Sequence, residues 1–138
     1  MKVIALCGPA NSGKSHTINI AYQLLLRDGF AQVPGYFQIL GNPKFEDVYD
    51  ILEKTGIRVG ICGMGDYQRG GGSLKNLLLN LESQGCNISI CGCQSKPAIL
   101  NAVTNYPSHH LVPKTMSTGS ANDRIVNGID AYTVFNLI

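Results

Sequence analysis

The chain has 138 residues, 44% apolar and 14% charged, with a formal net charge of +2. That composition excludes a disordered chain, and so small a charge does not by itself argue for a nucleic-acid or membrane partner. The length fits one domain over 1–138, enough to bury about 68% of the unfolded surface around one core.

The apolar run Val3 to Cys7 is too short for a secretory signal. Nor does any run approach the roughly 20 apolar residues of a membrane span. The expectation is a soluble cytoplasmic protein with no membrane partner. The five cysteines, Cys7, Cys62, Cys86, Cys91 and Cys93, then read as free core thiols of a reducing compartment. Cys91-Gly92-Cys93 lacks the spacing of a redox or zinc pair. His109 and His110 are strand neighbours that point to opposite faces, which argues against metal ligation.

In chain order, Lys2 to Cys7 reads as a buried strand ending in a glycine turn. A helix follows from about Gly13 to Arg27, with Ile18, Ala21 and Leu25 at helical spacing and Gly29 as its stop. Val33 to Leu40 is strand-like. Phe45 to Lys54 fits two patterns: a helix on Phe45, Val48, Tyr49 and Leu52, or the first arm of a hairpin turning at Thr55-Gly56 into the strand Ile57 to Cys62. Gly63 to Gly72 is a glycine-rich loop. Ser73 caps a helix carrying Leu74, Leu77, Leu78 and Leu81, and Asn87 to Gly92 is a buried strand. Pro97 opens a helix to about Asn105, and His109 to Lys114 is a short strand. The last segment, with Ile125, Ile129, Tyr132, Phe135 and Ile138, fits a helix, although Tyr132 to Phe135 also suits a strand. Strands alternating with helices predict an α/β fold whose mainly parallel sheet is covered on both faces.

Gly8-Pro9-Ala10-Asn11-Ser12-Gly13-Lys14-Ser15 matches G-x-x-x-x-G-K-[ST] at every fixed position, between an apolar strand and a helix. Each residue type has a physical task. Gly8 and Gly13 permit backbone shapes that a Cβ forbids. The amides around Ala10 to Ser15 line one concavity suited to phosphate oxygens, and the helix N-terminus adds roughly half a positive charge. Lys14 is expected to reach the β- and γ-phosphates and the Ser15 hydroxyl to coordinate Mg²⁺. His16, next in the helix, completes the expected binding segment.

On these residues the chain resembles P-loop NTPases. Beyond the Walker A motif it is similar to small bacterial P-loop proteins of unassigned activity. Val59-Gly60-Ile61-Cys62 with Gly65-Asp66, and Cys86 to Ile90 with Gln94-Ser95-Lys96, carry that part of the likeness. The resemblance implies a three-layer P-loop fold, ATP or another NTP with Mg²⁺ as ligand, a hairpin over about 48–62 and a C-terminal helix.

A carboxylate must also organise the Mg²⁺ shell. Asp28 and Glu82 lie near helix ends, Glu46, Asp47, Asp50 and Glu53 precede the second parallel strand, and Asp123 and Asp130 lie in the last segment. Elimination leaves Asp66, which follows an apolar strand into a glycine-rich loop, with a plain turn aspartate as its alternative. Asp66 is therefore paired with Lys14 as the expected catalytic residues and with Ser15 at the metal, directly or through water. Arg69, Lys96, Lys114 and Arg124 fall in loops at the same end of the sheet, where a cation stabilises phosphate charge. Each of them is also explained as a solvated surface charge. Gly70-Gly71-Gly72-Ser73 is a second anion nest or a mobile loop. The functional expectation is an NTP-binding protein with NTPase activity whose nucleotide state a protein or nucleic-acid partner reads. The alternative is a small-molecule or nucleotide kinase, against which stands the want of an arginine-rich lid. A GTPase switch lacks its Asn-Lys-x-Asp motif.

Overall fold

The computed structural model describes residues 1–41, 47–63 and 73–138, with the backbone alone at 120 and 121. Seven strands and four helices occur among the described residues: β1 (Lys2–Cys7), α1 (Lys14–Arg27), β2 (Ala31–Gln32), β3 (Gln38–Leu40), β4 (Asp47–Lys54), β5 (Ile57–Cys62), α2 (Leu74–Ser83), β6 (Ile88–Cys93), α3 (Pro97–Thr104), β7 (His109–Pro113) and α4 (Ser120–Phe135). They form an α/β fold around one mixed sheet of order β2-β4-β5-β6-β1-β7, with β3 also on β4. β5, β6, β1 and β7 run parallel; β4 runs antiparallel to β5, and β2 and β3 antiparallel to β4.

Alternation along the strands builds a core on each face. Val3 and Ala5 of β1 pack with Leu74, Leu77, Leu78 and Leu81 of α2 and with Ile99 and Val103 of α3. Ile4 and Leu6 pack on the other face with Ile18, Ala21 and Leu25 of α1 and Ala131 and Val134 of α4. The Ser73 hydroxyl caps α2 by accepting from Asn76 N at 3.3 Å.

The hairpin is present, and its turn explains it. Thr55 and Gly56 have φ of 50° and 82°. Positive φ at both central residues is the twist of a type I′ turn, which matches the twist of paired strands. The helix reading of 45–54 gives way to β4, since Tyr49 and Ile51 bury on one face and Asp50 and Leu52 on the other. Where one strand was expected over 33–40, only Gln38–Leu40 is strand; Pro34-Gly35 turns the chain between it and β2, and the two short strands meet β4 separately. α4 forms, but the first part of the stripe that suggested it faces outward: Ile125, Ile129 and Tyr132 are exposed, while Asp130, Ala131 and Val134 are buried and Phe135 and Ile138 pack partly against the core. No helix of the described residues is long and apolar enough to cross a membrane.

A polar cluster ties α1 to the antiparallel strands. Asp50 is fully buried. It accepts from Tyr22 OH at 2.8 Å, Gln32 Nε2 at 3.1 Å and Ile51 N at 2.8 Å. Burial, then the bond to Asp50, push the Tyr22 phenol up to about 12. Tyr22→Phe removes one donor from a buried carboxylate, and losing a bond to a charged group costs about 1.5–3 kcal/mol. Urea unfolding is expected to show that loss with an unchanged slope; a variant as stable as the parent would assign Asp50 to its backbone and Gln32 donors alone.

Candidate functional site

β1 is hydrogen-bonded along both edges up to its last residue and beyond. Gly8 N donates to Cys93 O on β6 at 3.1 Å, and Lys114 N donates to Cys7 O at 2.7 Å. The chain then leaves the sheet as a loop over 8–13 and enters α1. Asn11 and Gly13 have φ of 59° and 90°, so the backbone curls left-handed twice before the helix begins. Ser12 Oγ donates to Pro9 O at 2.8 Å and closes the curl. No side chain caps α1 and its first turn carries no acid. The helix end therefore turns its amides and its partial positive charge toward the loop.

Two close contacts fix the loop walls. A Cβ on Gly8 would lie 2.9 Å from Lys114 Cβ, and one on Gly13 2.9 Å from Asn127 Oδ1. The Lys14 side chain is buried, and its ammonium donates to Gly8 O at 3.0 Å and Pro9 O at 2.6 Å. Pro9, Ala10, Asn11 and His16 are exposed. The loop thus combines a lysine folded over its own carbonyls, a helix N-terminus and an open outer rim.

Ser15 Oγ donates to Asp47 Oδ1. Asp47 is buried at the start of β4. Because β4 is antiparallel to β5, its first residue lies at the carboxyl end of the parallel strands, beside the loop over 8–13. Reading the chain in order set Asp47 aside, and strand direction alone brings it to Ser15. Asp66, the carboxylate chosen by elimination, lies outside the described residues, as do Arg69 and the triple glycine. β5, the strand leading toward Asp66, is not the neighbour of β1: β6 lies between them and ends in Gly92-Cys93, followed by Gln94, without a carboxylate. Among the described residues no three or more His, Cys, Asp or Glu converge as a metal cluster.

Of the expected cations, Lys96 and Arg124 are exposed. Lys114 departs from the reading as a solvated surface charge. Its side chain is fully buried, 3.0 Å from Asp130 Oδ2. Asp130 also accepts from Thr115 N and Thr115 Oγ1, both at 2.7 Å. Burial pushes the Asp130 carboxyl up, but the Thr115 bonds and the Lys114 ammonium outweigh it and hold it below the ordinary value. The pair latches the segment after β7, which abuts Gly8, onto α4.

A groove of about 540 Å³ lies between β3, β4 and α2, with Tyr36, Gln38, Leu40, Tyr49, Leu77 and Asn80 among its walls. Comparisons with family models, with curated proteins and with solved structures returned no match.

Asp130→Asn leaves the Lys114 ammonium buried without its counter-charge, an effect of about 3–5 kcal/mol. Replacing both residues with apolar ones of similar size is expected to recover most of it. The folded carboxyl titrates below the unfolded one, so its stabilisation is complete at neutral pH. It fades as pH falls through about 4 and lower, toward the folded value. Melting curves of parent and Asp130→Asn should therefore converge in acid; a gap independent of pH would show that the charge is not what the pair contributes.

Proposed function

We propose that this chain binds a nucleoside triphosphate, ATP with Mg²⁺, in the loop from Gly8 to Ser15, on a P-loop NTPase-like fold, and hydrolyses it slowly. The observation that carries the reading is the Lys14 ammonium folded into its own loop at an uncapped helix N-terminus, held by the Gly8 and Pro9 carbonyls. Those two carbonyls are partners a phosphate replaces at little cost, because an ammonium bonds anionic oxygens more strongly than neutral ones.

The residues present fit such a ligand. Amides of 10–15 donate to phosphate oxygens, and the left-handed turns at Asn11 and Gly13 aim them inward. Lys14 neutralises the outer phosphates. Ser15 and Asp47 hold the metal shell, Ser15 by its hydroxyl and Asp47 directly or through water. When bound, Mg²⁺ offsets the charge that develops on the transferred phosphoryl group. Asp66 remains a second candidate carboxylate. The exposed Lys96 and Arg124, and Arg69 from outside the described segments, are the cations left for the outer phosphates. The nucleotide state is then read by a protein or nucleic-acid partner.

Transfer to a small acceptor is the second reading, favoured by the groove beside β4, the strand that also carries Asp47. Phosphate release without an acceptor supports hydrolysis. ADP formation that requires an added acceptor supports transfer.

ATP with Mg²⁺ at 100-fold over Kd should stabilise the fold by about 2.7 kcal/mol, read as a melting shift of several degrees. No shift with any nucleoside triphosphate at millimolar concentration would refute the binding reading. Lys14→Ala is expected to abolish most of that shift, measured against the variant's own ligand-free melting temperature.

Asp47→Asn keeps the size and removes the charge. It should lower Mg²⁺-dependent turnover at least about tenfold, a loss that needs only about 1.4 kcal/mol, with triphosphate binding less affected. If Asp66→Asn lowers turnover and Asp47→Asn does not, Asp66 takes the metal role and Asp47 merely positions the Ser15 hydroxyl.

A further inference from the structure

Four of the five cysteines, Cys7, Cys62, Cys91 and Cys93, crowd one face of the sheet at the carboxyl ends of β1, β5 and β6. Cys62 stands opposite Cys91, and Cys7 opposite Cys93. Cys62, Cys91 and Cys93 are fully buried, whereas Cys7 is half-buried. Cys7 is therefore the least buried residue of this group.

Cys7 and Cys93 are in-register neighbours on parallel strands. Adjacent strands lie about 4.8 Å apart, inside the Cα separation of about 4.4–6.8 Å that a disulfide spans. Both are free thiols here. Cys7 Sγ reaches Ala5 O at 3.6 Å and Cys93 Sγ reaches Gln94 O at 3.4 Å. Each thiol has one proton, so it faces its carbonyl or shares the proton with the other sulfur.

We infer that Cys7 and Cys93 form a peroxide-reactive dithiol, in which a hydroperoxide oxidises Cys7 and Cys93 then closes a disulfide from β6 onto β1. The site stands independently of any nucleotide. The Cys7 thiolate attacks the peroxide oxygen, and the O–O bond breaks. An alcohol, or water from hydrogen peroxide, leaves with one added proton and Cys7 becomes a sulfenic acid. The Cys93 sulfur then attacks the Cys7 sulfur. An S–S bond forms, the S–OH bond breaks, and the hydroxyl departs as water with the Cys93 proton. Sulfur is oxidised and peroxide oxygen reduced.

The surroundings assign the two roles. A hydrogen bond from Cys93 holds the Cys7 thiol below its ordinary value; burial opposes this, and the Lys14 ammonium adds to it. The same bond, then burial, push Cys93 up. Cys7, the less buried of the two, is the attacking thiol, and the fully buried Cys93 the resolving one. Cys86, pushed up to about 11 by burial and set apart at the far end of the sheet, serves as an internal control.

The folded chain is treated with hydrogen peroxide, unfolded, alkylated with iodoacetamide and mapped by mass spectrometry. The expected product has lost two hydrogens, links Cys7 to Cys93 and leaves Cys62, Cys86 and Cys91 alkylated. Cys7 should be consumed at least about tenfold faster than Cys86, because the thiolate is the reactive species. Cys93→Ala, which keeps the buried site apolar, should stop at a Cys7 sulfenic acid captured by dimedone. Cys7→Ser should leave Cys93 alkylated. Cys7 oxidised no faster than Cys86 in the parent, or a disulfide that persists in Cys7→Ser, would overturn the proposal. The first of these readouts needs no variant.

Discussion

β1 is paired on both edges, by β6 and by β7, and buried on both faces from Val3 to Leu6. A strand held on four sides has one way to end, and the backbone bonds from Gly8 N to Cys93 O and from Lys114 N to Cys7 O carry that constraint past the strand itself. The loop over 8–13 therefore starts from a fixed point. Its left-handed turns and the uncapped end of α1 would aim at nothing in particular if β1 could slide. Every polar feature of the site is measured from this anchor.

Around it, three groups arrive from distant segments. Asp47 comes through an antiparallel strand, Lys114 and Asp130 through β7 and α4, and Cys93 through the neighbouring parallel strand. Their roles differ physically. Lys114 and Asp130 neutralise each other in a buried place, so their charges do structural work and add little field at the loop mouth. Ser15 and Asp47 meet at the first turn of α1, where the hydroxyl donates to the carboxylate. Each arrival rests on a long-range contact.

That division also explains what was legible in the sequence. The strand before Gly8 and the helix after Gly13 are local patterns, and both form where the spacing puts them. The Thr55-Gly56 turn is local too, and with it the hairpin. Asp47 was not legible because it is set by the direction of β4, which no residue near it encodes. Lys114 was misread for the same reason: its counter-charge lies 16 residues on, across a loop and half a helix. The outward face of α4 misled differently. Ile125, Ile129 and Tyr132 mark a helix by spacing, yet the smaller Ala131 and Val134 let it approach α1 closely. Asp66 and the triple glycine lie outside the described residues and stay expectations.

The walls of the loop over 8–13 carry a consequence for how the chain matures. Gly8 rests against Lys114 and Gly13 against Asn127, partners more than 100 residues downstream. During synthesis the glycine-rich segment emerges early and stands without those walls until β7 and α4 have been translated. Closing so long a loop is slow relative to forming α1, whose bonds are local. A nascent chain thus has the motif long before it has the pocket. Ribosome-bound intermediates would carry the glycine-rich sequence without its walls, and the loop would take its final shape late, as α4 docks.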